Sequence, residues 1–238
     1  KGSIGIVAAS GTGLQEVTTQ IHRMGGGISH AIGTGGRDVY ADVGGITMLQ
    51  GIELLANDAD TAVIAIVSKP PAAEVTEKVL AALVAAGKPA VVLFLGSALK
   101  SPDKQIKLVG TMVDCAAVAV KLAEVKNKVG AMANYLMPAK PKFHKDQRFL
   151  RALYSGGTYC SEAQIIWTRA GFAIWSNIPV AGAMALENPK HESRLHTALD
   201  LGDDDFTVGK PHPMIDQGAR IERLLREAAD PSVRVILL

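Results

Sequence analysis

The chain has 238 residues, 48% hydrophobic and 20% charged, with a net charge of +2, two cysteines and a mean hydropathy of +0.19. These values describe a globular chain able to bury one large core or two smaller ones, and they exclude a disordered or fibrous polymer. The longest purely apolar runs, Ala62–Val67 and Ala90–Leu95, fall far short of the roughly 18 to 20 residues a membrane helix needs, so no membrane partner is expected.

Residues 3–9 form a short apolar run, and after the turn Ser10-Gly11-Thr12-Gly13 the apolar positions Leu14, Val17, Ile21 and Met24 recur at helical spacing. The pattern is a strand, a tight turn and an amphipathic helix. Ile28–Ile32 then predicts a strand, Ile46–Leu55 a helix, Ala62–Val67 a strand, Pro71–Ala86 a helix, Pro89–Leu95 a strand and Val113–Glu124 a helix. Uninterrupted apolar strands alternating with helices specify an α/β fold with a parallel sheet covered on both faces, the doubly wound arrangement.

Residues 125–148 break this rhythm with Lys, Asn, Pro and Gly, and read as a linker between a first domain, 1–124, and a second, 149–238. The basic excess is concentrated there: residues 1–124 sum to −1, 125–149 to +5 and 150–238 to −2. Lys126, Lys128, Lys140, Lys142, Lys145 and Arg148 lack an interleaved series of stacking aromatics, so a solvated linker explains them better than a nucleic-acid surface. Beyond it, Arg151–Tyr154 runs into Ser155-Gly156-Gly157-Thr158 and a helical stretch to about Gly171. Strands are predicted at Phe172–Ile178 and His196–Leu201, a helix around Ile221, Leu224, Leu225 and Ala228, and a strand at Val233–Leu238. The second domain is expected to be incomplete at its C-terminus.

The halves resemble each other. Asp58-Ala-Asp-Thr-Ala-Val-Ile-Ala-Ile66 parallels Asp230-Pro-Ser-Val-Arg-Val-Ile-Leu-Leu238, and the two Ser-Gly turns occupy equivalent early positions. The offset between equivalent residues grows from 145 at the turns to 172 at the later strands, so the second copy carries an insertion, placed at Pro179–Leu195.

A glycine-rich strand-to-helix turn lets backbone N–H groups approach an anion at the positive end of a helix. Ser10, Gly11, Thr12 and Gly13, with Ser155, Gly156, Gly157 and Thr158, are accordingly candidate phosphate ligands; turn formation and N-capping alone would also select these residues. Neither turn fits GxxxxGK[ST] or a full GxGxxG. Gly33-Thr34-Gly35-Gly36-Arg37-Asp38 follows the second strand, where doubly wound sheets bind ligands, and Arg37 can fork onto a carboxylate or phosphate; a surface Arg–Asp pair is the other reading. Gly35, Gly36 and Asp38 are placed as substrate-binding, with Arg37 and Lys69 of Ser68-Lys69-Pro70-Pro71 supplying positive charge. In the second half, Asp203, Asp204 and Asp205 read as a loop or helix cap, since carboxylates at this spacing fit no Mg²⁺ template well. His212, between Pro211 and Pro213 and close to Lys210 and Asp216, is the candidate for proton transfer, with Lys210 and Asp216 placed on substrate. Cys115 and Cys160 belong to no CxxC or Cys/His cluster, so no metal site is expected and a reducing, cytoplasmic setting fits. The chain begins without Met, shows no signal peptide and stops in an apolar run, as a piece of a longer protein would.

Gly5-Ile-Val-Ala-Ala-Ser-Gly-Thr-Gly, Gly33-Thr-Gly-Gly-Arg-Asp, Ser68-Lys-Pro-Pro, Tyr154-Ser-Gly-Gly-Thr and Gly209-Lys-Pro-His-Pro-Met-Ile-Asp together resemble the FdrA-type relatives of succinyl-CoA synthetase. The resemblance implies two flavodoxin-like domains, the first like the ligase domain of the synthetase α subunit and the second like that of the β subunit. It implies glycine-rich helix N-termini that serve one phosphate, an acyl-CoA synthetase-like activity, an oligomer that can include other subunits, and CoA, a nucleotide or Mg²⁺ in the full-length protein. The residues themselves specify no cofactor. The family's CoA-binding domain is expected to lie outside this chain. Its phosphorylated histidine, in a Gly-His-Ala-Gly motif, has no counterpart in Ile106-Lys-Leu-Val-Gly-Thr-Met-Val113, and Lys69 stands near the place of that histidine's acidic partner. A free phosphate or acyl phosphate is therefore the expected ligand. Two alternatives stand beside the synthetase reading: an oxamate carbamoyltransferase subunit converting oxalurate and phosphate to oxamate and carbamoyl phosphate, and a non-catalytic anion- or CoA-binding regulatory module.

Overall fold

The computed structural model describes residues 2–124 and 142–238. The chain divides into two compact units, residues 1–135 and 136–238. Their boundary falls in the stretch read as a linker, and Lys126, Lys128 and Lys140 lie outside the described residues.

In the first unit β1 (Ile4–Ala8), β2 (Ile28–Gly33), β3 (Val63–Ser68), β4 (Ala90–Phe94) and β5 (Ile106–Leu108) form one parallel sheet in the order β2-β1-β3-β4-β5. This is the flavodoxin-like order, with its switch point beside β1. β1, β3 and β4 are buried along their whole length, which is why they read as continuous apolar runs. Helices α1 (Gly11–Arg23) and α4 (Met112–Leu122) pack together, and α2 (Ile46–Asn57) packs against α3 (Ala73–Ala86). Ile64 and Ile66 of β3 join Met48, Ile52, Val75, Val79 and Leu83 in the core under α2 and α3. The short β5 was not expected: three residues with an exposed Lys107 at the sheet margin leave too little pattern to recognise.

The second unit is again an all-parallel sheet, built from β6 (Phe149–Tyr154), β7 (Ile174–Ser176), β8 (Met184–Ala185), β9 (His196–Asp200) and β10 (Val233–Leu237) in the order β10-β6-β9-β7-β8. Its strands β9-β6-β10, at one side of the sheet, repeat β2-β1-β3 of the first. Helix α5 (Gly157–Arg169) takes the place of α1, and α7 (Gly218–Ala228) that of α2; between them is the short α6 (Asp204–Thr207). The duplication extends to detail. Asp58, after α2, accepts the N–H of Asp60, and Asp230, after α7, accepts that of Ser232, so the same Asx turn launches β3 and β10. The inserted segment begins earlier than the expected Pro179 and carries two strands, β7 and β8, that widen the sheet beyond β9. β8, only two residues long, left no readable alternation.

A buried ion network ties the crossover before β9 to this sheet. Arg151 lies in the middle of β6, 2% exposed; its Nε donates to Glu227 at 2.7 Å and its Nη2 to Asp230 at 3.1 Å, while Nη1 donates to the carbonyl of Leu195. Leu195 has φ +45°, a conformation that side-chain-bearing residues rarely adopt. Arg223 of α7 donates to Glu227 at 2.6 Å and to the carbonyls of Pro189 and Glu192 at 2.5 and 2.6 Å, and Ser193 donates to the same Glu227. Glu227 thus bridges two buried guanidinium groups, and Asp230 answers one of them as well. Burial alone would raise Glu227, but hydrogen bonds from Ser193, Arg223 and Arg151 hold it below the ordinary carboxylate range.

Glu227→Ala strands Arg223 and leaves Arg151 with Asp230 alone, and removal of one partner of a buried pair costs about 3–5 kcal/mol; urea unfolding of the second unit is expected to show a loss of that size. Because folded Glu227 holds its proton less readily than in the unfolded chain, the stability it confers is complete above its ordinary value of 4.5 and is lost as pH falls through the lower folded value. Unfolding midpoints measured between pH 7 and 3 are therefore expected to fall more steeply below pH 4.5 in the parent than in Glu227→Gln.

Candidate functional site

All strands of a unit run in the same direction, so their carboxyl ends, with the loops that follow, share one edge. In the first unit that edge brings together the turn after β1, the glycine loop after β2 and Ser68-Lys69 after β3. Thr34 N–H donates to Ala8 O at 2.9 Å and Ala9 N–H to Val67 O at 3.0 Å, which seats the Ser10 turn between its two neighbours.

Ser10 is the N-cap of α1: its Oγ accepts from Gly13 N–H at 2.9 Å. Capping therefore accounts for the serine, but it leaves the first two helix amides, Gly11 and Thr12, without a partner among the described residues. Nothing lies within 4 Å of a Cβ built on Gly11, so the space over the turn is open. Gly13 has a packing reason as well, because a Cβ there would stand 2.8 Å from Ser10 Oγ and 3.0 Å from Val67 Cγ1. Ser68, fully buried at the end of β3, has a hydroxyl with no hydrogen-bond partner; a buried orphan of this kind at a ligand-binding edge is worth noting. Arg37 and Lys69 are exposed and enter no ion pair among the described residues. Gly35 and Gly36 lie in the same exposed loop, Gly35 with φ +81°.

Asp38 is placed differently from the expectation that it binds substrate. It is 4% exposed, and its two oxygens accept the N–H groups of Thr47 and Met48 at 2.8 and 2.9 Å, capping α2. Asp38 therefore shapes the loop that carries Gly35–Arg37 and has no oxygen turned to a ligand. Asp216 likewise accepts Gly218 N–H at 2.8 Å where α7 begins, and Asp203 caps α6 through Asp205 N–H. Among the described residues no group of three or more His, Cys, Asp or Glu is disposed to hold a metal ion.

In the second unit the corresponding turn is shifted by one residue. Gly156, not Ser155, is the N-cap of α5 and has no side chain to cap with. The Ser155 hydroxyl is thereby left buried and unpartnered beside the Gly157 amide at the first position of the helix. Burial pushes the Tyr154 phenol up to about 12. β9 leaves the sheet alongside: Leu201 N–H donates to Tyr154 O at 2.8 Å, and Asn177 brackets Asp200 through both its backbone groups at 3.0 Å. His212 lies over this strand end, its Nε2 2.5 Å from where a Cβ on Gly202 would be. Its Nδ1 accepts Met214 N–H at 3.2 Å, which puts the proton of the neutral ring on Nε2. The structure thus brings His212 and the Ser155 turn to adjacent strand ends. Lys210 is exposed and lies instead in a hollow beside α7. Asn177 escaped the sequence reading, and Ser68 was singled out only as part of Ser68-Lys69-Pro70-Pro71, without a role of its own; an Asn after a strand and a Ser at a strand end carry no distinctive pattern.

Gly13→Ala is expected to displace the Ser10 cap and lower stability by about 1–2 kcal/mol, whereas Gly11→Ala, open on all sides, is expected to be neutral or stabilising by up to about 1 kcal/mol; thermal unfolding of the two variants measures the contrast.

Comparison with known proteins agrees with this architecture. Residues 1–96 match the model of the CoA binding domain and residues 153–238 that of CoA-ligase. The first match corrects the expectation that no CoA-binding domain lies in this chain. The chain is 42% identical over 243 residues to the uncharacterized protein YahF of Escherichia coli (strain K12), covering 100% of this chain and 47% of that protein, so it spans about half the length of that relative. No helix among the described residues is long and apolar enough to cross a membrane. The chain carries domains of the CoA-binding and CoA-ligase kinds, similar to those of succinyl-CoA synthetases.

Proposed function

We propose that the chain is the part of an acyl-CoA synthetase-like enzyme that binds phosphate or an acyl phosphate at the N-termini of α1 and α5, and that it does so without a phosphohistidine. The carrying observation is the set of uncommitted donors at these helix starts: Gly11 and Thr12 N–H in one unit, Gly157 N–H and Ser155 Oγ in the other. An oxyanion there exchanges water for fixed amides and aligned peptide dipoles, an arrangement that stabilises charge as it develops without reorganising. Arg37 and Lys69 neutralise charge in the first unit. In the second, His212, whose Nδ1 is engaged by the backbone, donates a hydrogen bond from Nε2 to the leaving group. The strand order shared by the two units and their common Asx turn support reading them as copies of one α/β unit that arose by duplication.

Carbamoyl transfer is the second reading, favoured by the stretch Ile106–Val113, which contains no histidine and leads through β5 into α4. Phosphate would then attack oxalurate directly and carbamoyl phosphate would leave the same donors. Oxalurate phosphorolysis and CoA-dependent acyl transfer, assayed side by side on the full-length protein, separate the two readings; turnover of neither, with phosphate still bound, would favour a regulatory module.

Proline at the first helical position keeps helix geometry while deleting one N–H, and the residues before both turns, Ser10 and Gly156, are already extended as proline requires. Gly11→Pro and Gly157→Pro are each expected to weaken phosphate or acetyl phosphate binding about 10- to 100-fold, the worth of one hydrogen bond to a charged group, without loss of fold. Calorimetric titration reads this directly, and unchanged affinity in both variants contradicts the assignment.

A further inference from the structure

The three arginines of α7 are of two kinds. The helix packs over β6 and β10, and residues 220, 223, 224 and 227 recur on its inner stripe at three- and four-residue spacing. On that stripe Arg223 and Glu227 are buried, and Leu224 packs against Leu153, Leu199 and Leu201. Arg223 is answered by Glu227 and the crossover carbonyls, and the exposed Arg226 by Glu222 and the carbonyl of Lys190. Arg220 has no such answer among the described residues. Its Nε is buried without a hydrogen-bond partner, and its guanidinium enters no ion pair. The carboxylates of Asp203 and Asp216, earlier in the chain, are engaged by backbone N–H groups of Asp205 and Gly218.

β6 and β10 run parallel, so the helix that leads into β10 runs against them and begins at their carboxyl edge. Arg220 is in its first turn, one turn nearer that edge than Leu224. β6 ends there in Tyr154 and runs into Ser155, whose buried hydroxyl is also without a partner. The tight turn before α7 carries His212, whose carbonyl accepts the N–H groups of Ile215 and Asp216 at 2.8 and 3.1 Å. The first unit shows which residue packing alone selects. With Asp58 matched to Asp230, the place of Arg220 is taken there by Met48, fully buried in one core with Ile52. An arginine at this position gives up apolar contact and leaves a desolvated nitrogen unsatisfied, which costs stability.

We propose that Arg220 is the charge-neutralising residue of the second unit, its guanidinium closing on the oxyanion that Gly157 N–H and Ser155 Oγ hold. A guanidinium presents paired N–H groups in one plane, which suits two oxygens of a phosphoryl group. The inference rests on the reading of the α5 turn as a phosphate site. It gives the second unit the cation that Arg37 and Lys69 supply in the first, from a helix on which no glycine motif marks it.

Calorimetric titration of the whole protein with inorganic phosphate and with acetyl phosphate, combined with thermal unfolding, tests this. Arg220→Met is expected to weaken both ligands 10- to 100-fold, the worth of hydrogen bonds to a charged group. Its unfolding midpoint is expected to stay unchanged or rise, because no partner is lost and apolar contact is gained. Arg220→Lys, which keeps the charge without the fork, is expected to bind with intermediate affinity. Combined with Gly157→Pro, the loss is expected to be smaller than the product of the two single losses, as for two contacts to one anion. Unchanged affinity in Arg220→Met, a lowered midpoint, or fully multiplicative losses would each overturn the proposal. Weakened binding in Gly157→Pro with unchanged binding in Arg220→Met refutes the role of Arg220 alone, whereas unchanged binding in Gly157→Pro refutes the reading of the turn.

Discussion

An α-helix begins with peptide N–H groups that nothing inside it can satisfy, and a parallel sheet lines such beginnings up along one edge. The architecture of this chain follows from how each of those starts is answered. At α2 a buried carboxylate, Asp38, answers two amides; at α4 the Thr111 hydroxyl answers Asp114 N–H and donates in return to its carboxylate; at α7 Asp216 does similar work. The answer is incomplete at α3, where Ala72 offers no side-chain cap, and at α1 and α5, the helices that follow β1 and β6. Ser10 satisfies one amide and Gly156 none. What sets α1 and α5 apart is a glycine at the first helical position, where a ligand can approach the donors left over, and this ties the fold to the phosphate-binding proposal.

The two units show how duplication can keep a framework while altering its chemistry. Three adjacent strands, the helix after the first of them in the chain and the Asx turn before the last are common to both. Around them the second unit has gained a crossover and two edge strands, and with these a buried network centred on Glu227. The network has an evident physical purpose: a segment of irregular backbone laid along a helix exposes carbonyls that need donors, and Arg151 and Arg223 provide them at Pro189, Glu192 and Leu195. Such buried charges contribute little net stability when complete and cost much when broken, so they act chiefly to fix where the crossover lies and hence the shape of the hollow beside α7.

Much of this was legible in the sequence because the strands are buried on both faces and the helices have one apolar stripe, two patterns that differ in period and length. The repeated Asp-to-strand motif carries the duplication in the sequence, and the Ser-Gly pairs mark the two turns. What escaped has a common cause. β5 and β8 are too short to display a period. The one-residue shift that makes Gly156 the cap instead of Ser155 depends on backbone angles, not composition. Asp38 in a glycine loop looks like a ligand group until the amides of Thr47 and Met48, nine and ten residues on, are seen to fold back onto it. Lys190, Phe206 and Lys210 meet only because the crossover is pinned to α7, and an arginine within the apolar run Phe149–Tyr154 was the sole hint in the sequence that such pinning existed.

The central claim is that the uncommitted amides at the starts of α1 and α5 hold phosphate. Amide chemical shifts followed during phosphate titration of isotopically labelled protein test it at single residues. The account predicts saturable shifts at Gly11, Thr12 and Gly157, with no change at Gly87, an exposed glycine at the far end of α3. Shifts scattered over surface lysines, with Gly11 and Gly157 unmoved, would contradict it.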